Sequence, residues 1–329
     1  MGDRPSDAYD RRIDRRELIR TWGPAALAGV AVTALGAGLH DRPGRHRPPS
    51  LDTVPTPKDW RLADDGPGRL AEWGGAGSVA NLRRALAAMG GMAAFVRPGE
   101  TVAIKPNCAW DRTPEQAANT DPELVAELVR QAREAGASSV VVVDNSCHDP
   151  DRAFERSGIG PAARAAGATI AHQHSVRTVT LDLGGTALGR WEVLEPIASA
   201  DRLINVPIVK HHSLARATLG MKNWIGAVEG PRSSLHQRLP QVCAELAAAF
   251  KPTLTVVDAT RVLTAGGPTG GSLDLVRPVD RIAVSTDSVA AEVWGAELLD
   301  LGPRELPQIA IAERLGLGTA DWKAVSVPA

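Results

Sequence analysis

Val102-Ala-Ile-Lys105-Pro106-Asn107, then Asp121-Pro122 with Leu124, Val125, Leu128 and Val129 behind it, then Val140-Val-Val-Val-Asp144-Asn145: this stretch decides the fold. The first and last pieces are short apolar runs, each ending in polar residues. An all-valine run has the character of a strand buried on both faces, as in a parallel sheet. Between them, Asp121 is an N-cap and Pro122 occupies the first helical position. The four apolar residues that follow keep helical spacing, and Gly136 closes the helix. Strand, helix, strand on this scale is a parallel crossover unit.

The alternation continues outward. A helix over 162–166 is closed by Gly167 and precedes a strand over 169–171. Residues 179–183 and 186–194 flank Gly184-Gly185 and form a hairpin insertion. A strand over 203–206, an amphipathic helix marked by Leu239, Val242, Cys243, Leu246 and Phe250, and strands over 254–257 and 282–285 follow. Asp287 caps a last helix over 288–299. The reading is α/β: a mostly parallel sheet with flanking helices and a hairpin insertion, with two lobes around a cleft as a variant. Neither G-x-G-x-x-G nor G-x-x-x-x-G-K-[ST] occurs, and nothing resembles G-x-S-x-G.

The amino-terminal part is read apart from this body. Asp14-Arg15-Arg16-Glu17-Leu18-Ile19-Arg20, followed by a mildly apolar run from Trp22 to Leu39, resembles a bacterial twin-arginine export signal. Residues 1–38 are read as that signal, 39–57 as a Pro/Arg-rich linker, and 58–329 as the α/β domain. The expected location is across the cytoplasmic membrane, with the twin-arginine export machinery as a partner; an uncleaved signal serving as an anchor is the alternative. A net charge of -1 offers no basic field, which argues against nucleic acid as a partner. Three cysteines without a C-x-x-C argue against a ferredoxin-type iron-sulfur cluster. Cys108 and Cys147 each follow a strand; a disulfide, a shared ligand role and two unpaired thiols all remain open.

Lysine usage points to the chemistry. Of 37 basic residues only six are lysines, so arginine fills the generic surface positions. Yet Lys105, Lys210 and Lys222 all fall in polar clusters with Asn107, Asn205 and Asn223. An ammonium is a point charge whose pKa burial can shift, which a guanidinium is not. In open α/β sheets ligands bind beyond the carboxyl ends of the strands, and the clusters at Lys105–Asn107, Asp144, Lys210–His212 and Asp258 occupy such ends. Lys105, Lys210, His212, Asp144 and Asp258 are therefore the catalytic candidates, with His212 the expected proton carrier. Asn107, Lys222, Asn223 and Arg232 are the candidates for holding a small anionic ligand. His211 and His236 are the candidates for a divalent metal, with Asp144 or Asp258 as further ligands. Adjacent His211 and His212 would face opposite ways on a strand.

In their order, these clusters resemble the family known as domain of unknown function 362. The resemblance runs from about Ala87 to the end. It rests on Lys105-Pro106-Asn107, Asp121-Pro122, Asp144 and Ser157-Gly158-Ile159. Its most specific part is Asn205 to His212 with Gly220 to Asn223 and Gly226, and Arg232, His236, Asp258 and Gly267-Pro268 complete it. Many members carry an added ferredoxin-like cysteine cluster that this chain lacks, and Glu292 stands where the family usually has an acid. The resemblance implies fold and site more than reaction. The leading expectation is an exported enzyme acting on a small anion by lysine/histidine acid-base or metal-assisted chemistry. The alternative is a non-catalytic anion- or metal-centre-binding protein that serves a partner.

Overall fold

The sheet is built from runs that alternate between two buried faces. In the strand Ser139–Asp144, Val140 and Val142 join one apolar cluster, while Val143 joins the other and Val141 packs against it. The strand Thr101–Pro106 does the same, with Val102 and Ile104 on one side and Ala103 on the other. Period-two burial on both faces is what a central strand covered by helices requires. The helix Pro122–Glu134 covers one face, with Leu124, Val125, Leu128 and Val129 fully buried. Each such side chain contributes about 1.5–3 kcal/mol when withdrawn from water.

A computed structural model describes residues 54–62 and 68–328. The twin-arginine motif and most of the linker lie outside the described residues. In chain order the strands are β1 (Leu70–Gly74), β2 (Thr101–Pro106), β3 (Ser139–Asp144), β4 (Thr169–His172), β5 (Thr178–Asp182) and β6 (Arg190–Leu194). They continue with β7 (Arg202–Val206), β8 (Ile208–His212), β9 (Arg216–Thr218), β10 (Val228–Glu229), β11 (Leu254–Leu263) and β12 (Val276–Ser285). The central sheet runs β1-β12-β11-β7-β2-β3-β4, with β8 paired to β11 and β9 to β8. The pairs β3–β4, β2–β3, β2–β7, β7–β11 and β8–β11 are parallel. Only β11–β12, β1–β12 and β8–β9 are antiparallel. The sheet is thus mostly parallel, as the sequence predicts. The hairpin β5–β6 stands outside it, in a separate small sheet with β10. These elements belong to one compact unit, Val54–Ala329.

From β2 the chain moves outward through β3 to β4, then returns to β7 beside β2 and moves the other way to β11. The strand order therefore reverses between β2 and β7. In open α/β sheets a ligand crevice opens at the carboxyl ends of the strands at that reversal. Pro207 breaks the ladder after β7, and β8 swings across to pair with β11. This break carries Lys210 over the crevice.

Candidate functional site

The site starts from a buried ion pair. Lys105, at the end of β2, is fully buried, and Asp144, at the end of β3, is 2% exposed. Lys105 Nζ donates to Asp144 Oδ1 at 2.6 Å, to the Pro106 carbonyl at 3.0 Å and to Asn223 Oδ1 at 3.3 Å. An ammonium has three donors, and all three are used. Asp144 Oδ2 accepts from the Cys108 N–H at 2.7 Å, and its Oδ1 also accepts from the Asn145 N–H at 3.0 Å. Gly226 makes the approach possible: a Cβ there would lie 2.0 Å from Asp144 Oδ1 and 2.8 Å from Lys105 Nζ.

Asn223 ties this pair to the rest of the site. Its side-chain oxygen also accepts from Asn107 Nδ2 at 3.0 Å, and its Nδ2 donates to Asn205 Oδ1 at 2.8 Å. Asn205 in turn donates to the Gly220 carbonyl at 3.0 Å. Lys210 Nζ donates to Asn107 Oδ1 at 2.9 Å and to the Ala118 carbonyl at 2.5 Å. One chain of amides thus links both buried lysines, and every amide orientation in it follows from its neighbours.

Lys105, Asn107, Asp144, Lys210, Lys222 and Asn223 line one cavity of about 140 Å³. His212, Arg232 and His236 line it as well. Burial holds all three lysines below their ordinary pKa, and Asp144 opposes the effect at Lys105. Lys210 has no carboxylate hydrogen-bonded to it, and burial followed by the charge of Lys222 brings it down to about 7. Lys222, partly buried, makes no hydrogen bond or ion pair among the described residues. Arg232 donates to the Asn145 and Ser146 carbonyls at 2.8 and 3.2 Å, which fixes its guanidinium at the wall.

His212 is held by the backbone on one side of its ring. Its Nδ1 accepts from the Leu214 and Ala215 N–H groups at 3.1 and 3.2 Å. That leaves Nε2 to carry the ring proton. Burial, then the charges of Lys222 and Lys210, hold its pKa at about 3. Both effects favour the neutral ring, with Nε2 as its hydrogen-bond donor.

Asp258 is not part of the cavity lining. Its Oδ2 accepts from the Asp121 N–H at 2.7 Å and its Oδ1 from Thr260 at 2.9 Å, so it clamps the start of the helix Pro122–Glu134. Burial and the neighbouring Asp121 raise its pKa. His211 points away from His212, as alternation on β8 requires, and its Nδ1 accepts from the Gly267 N–H at 3.2 Å. It does not join His236 at the cavity. Among the described residues no group of three or more His, Cys, Asp or Glu side chains is placed to hold a metal ion. The cysteines are free thiols: Cys147 exposed at the cavity, Cys108 and Cys243 buried.

Two contributors lie outside the set of site candidates, although the family resemblance points to Glu292. Glu292 is fully buried and its Oε2 accepts from the Met221 N–H at 2.8 Å. It anchors the short helix Gly220–Asn223, which carries Lys222 and Asn223, and desolvation lifts its own carboxyl to about 7. Trp110 closes the cavity from the loop after β2; in a chain with few aromatics its closeness to Asn107 is the one hint available.

The profile described as Domain of unknown function (DUF362) matches residues 102–297. A thylakoid-associated protein of Synechocystis sp. is 30% identical over 251 residues, covering 74% of this chain and 76% of that protein. Among solved structures, the lactate racemase apoprotein from Thermoanaerobacterium thermosaccharolyticum aligns at 13% identity with a TM-score of 0.39, over 74% of this chain and 61% of that one. A protein from Thermotoga maritima aligns at 11% identity with a TM-score of 0.41, over 69% of this chain and 60% of that one. The chain spans about three fifths of the length of these two solved structures.

Proposed function

This chain belongs to the DUF362 family, and we propose that its cavity binds a small organic carboxylate and performs lysine acid-base chemistry on it. The observation that carries the reading is the unmatched positive charge. Lys222 lines a small cavity without an acceptor among the described residues, beside a second lysine that lacks a carboxylate partner. A bound carboxylate supplies the missing counter-charge. At about 140 Å³ the cavity is comparable with the roughly 150 Å³ cavities that admit one small organic molecule such as benzene. Lys222 and the Arg232 guanidinium hold the anion, Asn107 and Asn223 orient it, and the His212 Nε2–H donates to an oxygen of the ligand. Lys210 accepts or returns the proton, because a group that titrates near the working pH does so most effectively.

Lys222→Met tests this reading. Loss of one charge-assisted contact costs about 1.5–3 kcal/mol, so the variant's Kd for small carboxylates such as acetate or pyruvate should rise about tenfold or more. Thermal shift against ligand concentration measures it. Equal binding by wild type and variant would sink the proposal.

The location proposed is outside the cytoplasmic membrane, by the twin-arginine route. Arg15-Arg16 and the weak apolar run behind it support this, and the thylakoid association in the name of the Synechocystis relative fits a membrane-facing protein. Among the described residues no helix is long and apolar enough to cross a membrane. Replacing Arg15 and Arg16 together by lysine should leave the protein in the cytoplasm by cell fractionation; unchanged export of the double variant would overturn the assignment.

A further inference from the structure

We propose that Lys210 forms an imine with the carbonyl carbon of a small 2-oxo acid bound in the cavity. The inference rests on the carboxylate-binding reading above and gives Lys210 the role of nucleophile in place of proton transfer. The two deeply buried lysines differ in the one respect that matters. Lys105 spends all three donor positions on Pro106, Asp144 and Asn223, and a carboxylate holds its charge. Lys210 spends two, on Asn107 Oδ1 and the Ala118 carbonyl, and both acceptors are neutral. As a free amine it keeps those two N–H bonds, and tetrahedral geometry leaves its lone pair in the third position. Lys210 belongs to the cavity lining, so that position is the one open to a ligand. The low-dielectric surroundings and the charge of Lys222 favour this neutral form at physiological pH.

The ligand class follows from the chemistry of the two groups. Lys222 calls for an anion and Lys210 for an electrophilic carbon, and both line the same 140 Å³ cavity. A molecule that satisfies both carries a carbonyl and a carboxylate, and a short 2-oxo acid is the simplest compound of that kind. The amine nitrogen adds to the carbonyl carbon and gives a carbinolamine. Loss of water then yields the imine: a C=N bond forms, the C=O bond breaks, and the oxygen leaves as water with the two amine protons. The imine nitrogen, once protonated, withdraws electrons through the imine carbon, so a proton on the carbon beyond it, in an acid such as pyruvate, becomes labile. The His212 Nε2–H is a donor for the departing hydroxyl.

The test is reductive trapping on the full chain. The protein is incubated with pyruvate or with glyoxylate, treated with sodium borohydride, digested, and mapped by peptide mass spectrometry. The expected result is one reduced adduct on Lys210, at least tenfold more abundant than on exposed Lys323, and absent without the oxo acid. Lys222→Met should lower its yield at limiting oxo acid about tenfold, and Lys210→Met should abolish it. Mapping on the unsubstituted chain decides the matter even if a variant folds poorly. No adduct on Lys210 from either acid, or equal labelling of Lys210 and Lys323, overturns the inference. If pyruvate still raises the thermal midpoint while no adduct forms, only the imine falls. If neither binding nor adduct is seen, the carboxylate reading falls with it.

Discussion

Asp144→Ala is expected to cost about 3–5 kcal/mol of folding stability, the usual penalty for stranding one partner of a buried ion pair. The Lys105 ammonium is fully buried and its only ionic partner among the described residues is Asp144 Oδ1 at 2.6 Å. With the carboxylate gone, its remaining acceptors are a backbone carbonyl and an amide oxygen. The Cys108 and Asn145 N–H groups lose an acceptor at the same time. Lys105→Met strands the opposite charge and should cost a similar amount. The double variant Lys105→Met/Asp144→Ala should recover much of the loss, since removing both charges leaves none uncompensated. Urea unfolding of the four proteins at one pH measures this as a double-mutant cycle. A cost below about 1 kcal/mol for Asp144→Ala would mean that the pair contributes no more than a surface ion pair does, contrary to its burial.

The second large effect is a pH dependence that Lys210→Met removes. Burial lowers the Lys210 pKa from 10.5 to about 7 in the folded chain. The groups acting on it are Lys222 and Lys105, which depress it, and Asp144 and Cys147, which oppose the shift. A depressed pKa favours the fold fully above the unfolded value, and this contribution is lost as pH falls toward the folded value. The window is therefore about pH 7 to 10.5. Within it, wild type should gain on Lys210→Met by roughly 1.4 kcal/mol for each unit of rising pH. Below pH 7 the difference should level off. Urea unfolding at pH 7.0 and 9.5 on both proteins provides the measurement. A difference independent of pH would show that Lys210 stays charged in the folded chain. The same outcome would remove the neutral amine that imine formation needs.

Much of the architecture was legible before any coordinates. Asp121 caps the helix Pro122–Glu134 and accepts from the Glu123 and Leu124 N–H groups, as its position before Pro122 implies. Asp287 does the same for the helix Ser288–Glu297. These are local effects, decided by residues adjacent in sequence, so a sequence carries them openly. β8 was not legible as a strand. The run from Pro207 to His212 was read as a polar cluster following the strand over 203–206, and pairing with β11 and β9 makes it extended. β1 is five residues with a mixed pattern, and it forms because β12 offers an edge.

The site divides in the same way. Scarcity of lysine, and its retention beside asparagines, marked Lys105, Lys210 and Lys222 by composition alone. The sequence by itself thus determined the α/β class, the parallel core, the hairpin outside the sheet and the residues on which polar chemistry is concentrated. Only the tertiary structure decided the surroundings of each of them. It saturated Lys105 with acceptors and left Lys210 with one free position. It turned His211 out, lowered the pKa of His212 by burial, and placed Asp258 at a helix end. Each of these outcomes depends on burial and on partners from strands far apart in the chain. Desolvation and hydrogen-bond saturation belong to the assembled surroundings of a group, and no local stretch of sequence encodes them.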